Sequence, residues 1–474
     1  PLIVVDPRPT ELTGFASKWL PVSPQTDLEL LNGLAAVLQE KEAYDIEFID
    51  RYTEGFSLFR YGLSSLDLGK ISRLTGLSKD TINATADLLK GKKIAIVIGH
   101  GILQQKSGQH TLGAVLNLSL MSGSLGGSGA GIYILAKENN QPGAMDMGAS
   151  PDLLPGRQPL GDDAVRKKWA KNWKIKLSPD AGLNMVRMIE AAEKGHLKAL
   201  YVMGENPLRA LPDGSRVQKA LQKLDFLVVQ DIVNSDTVKI ADVVLPGAAL
   251  SEKQGSVTNL EGRIQSFDPV VPPPGKARAD WEILDLLAAR LGGSKPYASL
   301  EKIRKEIRQL VPMYASLDGR GQSWITVTSQ KALFQTRDAE ELISFYPVVS
   351  TEEKPAENGF PFTAITGTQR YQLGSGTRTG ASHRIQEFAS AGKIEMSPRD
   401  AAELEINDGD TVIVSSAHGA VTRAIQLKAG LISRHIFVPA GVNDNEAMNL
   451  FGLSDLTIPG AKGWKTCEVK ITKA

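Results

Sequence analysis

Four stretches of the sequence put groups that can hold a polar heterocycle at the ends of apolar runs. LIVVDPRPT carries Asp6 and Arg8, and KIAIVIGHG carries Gly99 and Gly101. KALYVMGENP carries Gly204, Glu205 and Asn206, and DFLVVQD carries Gln230 and Asp231. A strand buried on both faces reads as a continuous apolar run, and ligands of open α/β sheets sit beyond the carboxyl ends of such strands. Glycine there lets backbone N–H groups approach a phosphate. Carboxylates and amides accept from a base edge such as that of guanine, which offers adjacent N–H donors. A single turn of this kind is more often plain loop chemistry; four in one chain bring the two readings level. Neither GxGxxG nor GxxxxGK[ST] occurs, so a Rossmann dinucleotide site and an ATP phosphate loop are unsupported.

The elements that must position these groups follow from periodicity. After the strand LIVVD, TDLELLNGLAAVLQEK predicts a helix with Thr26 as its cap, Glu29 completing a capping box, and Leu30, Leu34 and Leu38 on one buried face. A strand KIAIVIG, a helix near Gly108–Met121 and the glycine-dense SGSLGGSGAG come next. From about Asn139 to Asp180 the many Pro and Gly predict a long ordered loop or a domain crossing. Helices near Leu183–Lys194 and Ser215–Leu224 then alternate with the strands KALYVMG and DFLVVQD, and ADWEILDLLAARLG is a further helix ended by Gly292 and Gly293. Such alternation predicts an α/β fold of mostly parallel, doubly wound sheets. Residues 312–359 read as a polar connector. Beyond it DGDTVIVSSAHGAVTRAIQL, RHIFVPA and TCEVKIT are closely spaced strands that predict a C-terminal β-barrel. The expected domains are 1–140, 141–311 and 360–474.

Composition narrows the function classes. The chain has 474 residues, 54 Lys+Arg against 53 Asp+Glu, and a net charge of +1, which leaves no footprint for nucleic acid or an anionic membrane surface. No apolar stretch reaches the roughly 20 residues a membrane helix needs, so direct membrane insertion is not expected. Cys467 is the single cysteine; no iron–sulfur cluster or multi-cysteine zinc site can be ligated within this chain. A reduced, cytoplasmic setting fits. Pro1 opens straight into a strand, with no signal peptide, which reads as a chain whose natural N-terminal portion is missing.

Other reactive residues have plainer readings. His100 and His110 are ten apart, which is no helical metal-ligand spacing. His383, His418 and His435 fall on a loop, a turn and a strand start, as hydrogen-bonding or surface histidines. Arg378 suits a phosphate or simply solvent, Cys467 reads as a small core residue, and VRKKWAKNWK (165–174) as a solvated helix face. No metal site is expected from these residues.

VVDPRPTE, MGENP, NNQPGAMDMGASPDLLPG and ADVVLPGAALSEKQGSVTNLEGRIQ resemble segments of the molybdopterin oxidoreductases of the dimethyl-sulfoxide-reductase superfamily. Nearly the whole chain is covered, with the motifs in order. The nearest likeness is to formate dehydrogenase catalytic subunits and to the large iron–sulfur subunit of respiratory NADH:quinone oxidoreductase. The resemblance implies a molybdopterin guanine dinucleotide carrying molybdenum or tungsten, and an N-terminal iron–sulfur domain outside this chain. Carried over by motif, Asp6, Arg8 and Asp27 hold one nucleotide, with Gln25 where the family's Pro-Gly-Thr-Asp has glycine. Gly99 and Gly101 stand at the neighbouring glycine turn. Gly204, Glu205, Asn206, Gln230 and Asp231 line the second nucleotide. Thr366, Gly367, Ser375, Gly376, Thr377 and Asn449 match pterin-contacting positions of the C-terminal domain.

The departures are informative. Formate dehydrogenases have an arginine in an RGQNN stretch, where this chain has Ala136-Lys137-Glu138-Asn139-Asn140, and a Gln-His pair where it has Gln104-Gln105. NLEGRIQ matches the respiratory-complex version better than the NTERRVQ of formate dehydrogenases. The resemblance therefore favours the large subunit of NADH:quinone oxidoreductase, serving electron transfer as a scaffold or cofactor domain, with a molybdenum or tungsten formate dehydrogenase-like catalytic subunit as the alternative. Its partners would be other subunits of a respiratory or formate-oxidising complex, peripheral to the inner membrane, and the chain alone would oxidise no donor.

Overall fold

A computed structural model describes residues 1–126, 129–292, 297–317, 322–325, 342–350, 359–388, 392–454, 458, 461 and 463–474. Two compact units emerge. The first joins Pro1–Leu135 to Gln330–Ala474, and the second is Ala136–Ser329.

The first unit begins with β1 (Ile3–Val5), paired in parallel with β2 (Lys18–Leu20). Helix α1 (Asp27–Glu40) buries Leu30, Leu34 and Leu38, as their four-residue spacing predicts. The expected capping box does not form. Thr26 turns its hydroxyl back to the Ser23 carbonyl, at 2.7 Å, and Glu29 is buried. Four helices then appear that apolar periodicity did not reveal: α2 (Ile46–Tyr52), α3 (Phe56–Ser64), α4 (Leu68–Thr75) and α5 (Lys79–Leu89). Their signal lay in the caps. Asp45, Asp67 and Ser78 each accept from a backbone N–H in the first turn that follows. β3 (Ala95–Ile98) runs parallel to β4 (Gly131–Ile134), with α6 (Gly108–Met121) between them in sequence.

The expected 312–359 connector lies largely outside the described residues, but residues 342–350 are packed into this unit. Phe345 stacks on Phe59 with centroids 4.8 Å apart. Asn117 exchanges two hydrogen bonds with the Tyr346 backbone, and the Tyr346 ring lies so close over Gly113 that no Cβ would fit.

In the second unit β5 (Ala199–Met203), β6 (Phe226–Asp231) and β7 (Val243–Pro246) form a parallel sheet in the order β7-β6-β5. Helices α7 (Met185–Glu193) and α8 (Gly214–Leu221) flank β5 in sequence, as parallel connections require. An antiparallel sheet of β8 (Gly255–Thr258), β9 (Arg263–Phe267) and β10 (Gln322–Trp324) follows. Helix α9 (Asp280–Arg290) lies between β9 and β10 in sequence. The Asn139–Asp180 stretch is more regular than its Pro and Gly content suggested, with helices at Gln141–Asp146 and Asp163–Trp173. Asp146, fully buried, accepts from Arg157 Nε at 2.5 Å and from the Tyr314 hydroxyl at 2.8 Å. The basic run is not simply solvated, because Trp169 within it is buried against Trp173.

The chain returns to the first unit as a closed barrel. Its strands are β11 (Phe362–Thr368), β12 (Ile394–Met396), β13 (Thr411–Ser415), β14 (Ala420–Leu427), β15 (His435–Ala440) and β16 (Thr466–Lys473), ordered β11-β15-β12-β14-β13-β16. Alternate apolar residues such as Val412 and Val414, or Val421 and Ile425, fill the interior. The architecture is thus mixed α/β with a β-barrel. No helix among the described residues is long and apolar enough to cross a membrane.

Candidate cofactor-binding site

In the first unit, three sequence-predicted segments meet the barrel. The Asp6 carboxylate accepts from the Arg8 N–H at 2.9 Å, and its backbone oxygen accepts from Trp19 Nε1 at 2.8 Å. Burial pushes the Asp6 carboxyl above its usual range; the Arg8 N–H and charge oppose this, and the neighbouring Asp27 adds to it. Asp27, at the first position of α1, is also raised by burial, opposed chiefly by Gln105 Nε2, which donates to its Oδ2 at 2.5 Å. Two carboxylates therefore stand close, and Gln105, from the segment after β3, is bonded to Asp27.

Arg8 is spoken for within the protein. Its Nε and Nη2 donate to the two oxygens of Glu395 on β12, each at 2.6 Å, and its guanidinium lies 4.0 Å over the Phe437 ring. Nothing in DPRPT signals that partner.

Gln25 has φ +69°, the left-handed region in which glycine is at ease. Its side chain compensates by donating from Nε2 to Thr466 Oγ1 on β16 at 2.9 Å. Gln25→Ala retains the strained backbone and loses the hydrogen bond, whereas Gln25→Gly loses only the bond. The glycine variant is expected to be the more stable of the two by about 1 kcal/mol. Chemical denaturation measures this, and equal midpoints would mean that residue 25 is unstrained.

Gly99 and Gly101 face open space, since a Cβ at either would meet no atom within 4 Å. Just beyond, Gln104 Oε1 accepts from the Trp464 N–H at 3.2 Å and its backbone oxygen from the Gly463 N–H at 3.1 Å. Thr366 Oγ1 donates to the Trp464 carbonyl at 2.8 Å, so the predicted Thr366 props this contact from within the barrel. Gln105 Oε1 and Trp464 Nε1 are both buried without a hydrogen-bond partner.

Gly367 lies against Phe437. Gly376 has φ +77°, and a Cβ there would lie 2.0 Å from the Gly441 carbonyl oxygen. Ser375 and Thr377 share a hydrogen bond of 2.9 Å between hydroxyls. Gly441 in turn donates to Asn445 Oδ1 at 2.7 Å, and Arg423 Nη1 donates to the Pro439 carbonyl at 2.6 Å. Neither Asn445 nor Arg423 was anticipated. Asn449 is exposed, with its backbone close to Gly419.

In the second unit the tips of β5 and β6 carry the other predicted group. Gly204, at φ +65°, donates to the Gln230 carbonyl at 2.8 Å, and exposed Glu205 accepts from the Asn206 N–H at 2.8 Å. Two predicted side chains are engaged internally. Buried Asn206 accepts from the Thr237 hydroxyl at 2.7 Å, and buried Gln230 accepts from the Tyr201 hydroxyl and donates to Asp280 at 2.6 Å. Asp231 accepts from the Ile232 N–H at 2.7 Å. Asp280 also takes Lys253, so α9 and the LSEKQ segment contribute charges that the strand-tip reading missed. Among the described residues no group of three or more His, Cys, Asp or Glu is placed to hold a metal ion.

The fold is mixed α/β with a closed six-stranded barrel, and comparison with known proteins gives the family. Residues 1–290 match the molybdopterin oxidoreductase family model, and residues 362–468 match the molydopterin dinucleotide binding domain. The chain belongs to the molybdopterin oxidoreductases. It is 34% identical over 492 residues to the F420-dependent formate dehydrogenase subunit alpha of Methanocaldococcus jannaschii, covering 100% of this chain and 72% of that one. With the NADPH-Fe(3+) oxidoreductase subunit alpha of Geobacter sulfurreducens it shares 32% identity over 95% of this chain and 51% of the relative. The solved acetylene hydratase of Pelobacter acetylenicus aligns with a TM-score of 0.74 over all of this chain and 74% of its own, at 18% identity, a likeness of fold.

Proposed function

We propose that this chain is the pterin-dinucleotide-holding part of the catalytic subunit of a formate dehydrogenase-type molybdopterin oxidoreductase, working with other subunits. The observation that carries this reading is the match of residues 1–290 to the molybdopterin oxidoreductase family model and of residues 362–468, the closed barrel, to the dinucleotide binding domain. In this reading Asp6, Asp27, Gly99 and Gly101 hold one end of the dinucleotide, with Thr366, Gly367, Ser375, Gly376, Thr377 and Asn449 at the pterin. Gly204, Glu205, Asn206, Gln230 and Asp231 serve the second nucleotide, mostly through backbone groups. Arg8 acts differently from the sequence expectation, by fixing the β1 tip to the barrel. When bound, the cofactor supplies a molybdenum or tungsten centre for two-electron chemistry; the chain's own residues bind and orient it. The similarity to a formate dehydrogenase alpha subunit supports formate as the donor and further subunits as partners.

A second reading is the cofactor-free scaffold domain of the large subunit of NADH:quinone oxidoreductase. NLEGRIQ favours it. Gly262 in that segment sits in the β8–β9 turn at φ +81°, where a Cβ would collide with Ile325. Elemental analysis for molybdenum and tungsten, with pterin fluorescence, on the native full-length subunit separates the two. Stoichiometric metal and pterin are expected, and their absence would leave the scaffold reading standing.

A further inference from the structure

Strand β14 carries an arginine where a barrel strand points an apolar side chain inward. Val421, Arg423 and Ile425 are all buried and alternate with exposed or half-buried residues. A charge inside a core is costly unless it is paired and hydrogen-bonded. Backbone oxygens offset part of that cost here. Arg423 Nη1 donates to the Pro439 carbonyl at 2.6 Å and to the Gly392 carbonyl at 3.4 Å, and Nη2 donates to the Val442 carbonyl at 3.4 Å. The Glu446 carboxylate lies 3.6 Å from Nε, and the Arg423 side chain is 2% exposed. The bonded oxygens of Pro439 and Val442 bracket the turn that leaves β15. Between them Gly441, at φ +76°, donates to Asn445 Oδ1, and the Asn445 N–H returns to the Val442 carbonyl at 2.8 Å.

This turn backs onto the 374–377 loop, glycine against glycine. A Cβ on Gly376 would lie 2.0 Å from the Gly441 oxygen, and one on Gly441 would lie 3.0 Å from the Gly374 oxygen. A close-packed contact between backbones transmits a shift, because no side chain there can rotate to absorb it. Thr368, at the end of β11, pairs with Ala440, so Thr366 and Gly367 reach the same rim of the barrel. We propose that Arg423 is a positioning residue for the cofactor: by holding the 439–442 turn against Gly374 and Gly376, it fixes the loop of Ser375, Gly376 and Thr377. This inference rests on the cofactor reading above, which puts that loop at the pterin. Arginine suits the task because its planar fork presents several donors in fixed directions, whereas a lysine ammonium is a single point charge.

The test combines hydrogen exchange on the full chain with pterin release, followed by fluorescence, from the native full-length subunit. Arg423→Met is similar in length but has no donors. Ile425→Ala removes buried volume on the same face of the same strand and leaves the bonds to the turn in place. Arg423→Met is expected to raise exchange at 374–377 and 439–442 and to speed pterin release about tenfold or more, the worth of a hydrogen bond from a charged donor. Ile425→Ala is expected to lower stability while both readouts, in folded protein, stay near those of the unsubstituted chain. Arg423→Lys keeps the charge and should fall between; it carries the test if Arg423→Met does not fold. Unchanged exchange and release in a folded Arg423 variant, or equal acceleration by Ile425→Ala, would overturn the positioning role and leave the cofactor reading intact. An unsubstituted subunit free of pterin would overturn the cofactor reading, and this inference with it.

Discussion

Arg8→Ala is expected to destabilise the protein by about 3–5 kcal/mol, the range for breaking a buried ion pair from one side. The Glu395 side chain is 5% exposed and the Arg8 side chain 20%, with a two-pronged contact. Removing the guanidinium leaves a buried carboxylate without its counter-charge and uncovers the Phe437 face. The double variant Arg8→Ala, Glu395→Ala should recover part of the loss, because no charge is then stranded. Chemical denaturation of the four proteins gives the coupling. A nucleotide-holding Arg8, as the resemblance implied, would give the opposite pattern: little change in stability and weaker binding of nucleotide. That result would return Arg8 to the ligand.

Gly376→Ala should damage the barrel loop nearly as much. The substitution places a methyl 2.0 Å from the Gly441 oxygen and forces alanine to φ +77°. The left-handed conformation costs a non-glycine residue about 1–2 kcal/mol, and overpacking about 1–3 kcal/mol more. The loop can yield only by moving away from Gly441, so Tm should fall and any pterin bound at Ser375–Thr377 should be released. Gly99→Ala is the matching control. Its φ is −85° and its Cβ meets nothing, so stability should hold while a ligand's close approach is blocked. Equal thermal stability for Gly376→Ala and the unsubstituted protein would show that the loop is slack.

What could be read in the sequence was whatever has a local cause. Leu30, Leu34 and Leu38 announce α1 because one helical face must be apolar, and all three are buried. The barrel was legible from β-branched strands such as TVIVS, which alternate buried and less buried positions along β13. Helices α2 to α5 were not, because α4, for example, buries only Ile71 and Thr75 and shows no long stripe. The site divided in the same way. Strand tips follow from where apolar runs stop, so Asp6, Gly99, Gly204 and Asp231 could be named. Which side chains there stay available depends on partners brought from afar. Thr237 and Asp280 occupy Asn206 and Gln230, and Glu395 occupies Arg8. Gly262 carries a similar lesson. The turn's positive φ and Ile325 beside it account for the glycine locally, so it says less about ancestry than its place in a motif suggested.

The first unit is built from both halves of the chain, and this orders events during synthesis. Arg8 and Glu395 lie 387 residues apart. At the roughly 5–20 residues per second of translation, the β1 tip emerges about 20–80 s before its counter-ion exists. For that interval Phe437 and Thr466, which cover Arg8 and Gln25, are also unmade. Ala136–Ser329 meanwhile has all of its own sequence and can condense while the earlier segment waits. The nascent chain therefore carries an unfinished, carboxylate-bearing edge through most of its elongation. That edge is completed only when the barrel arrives.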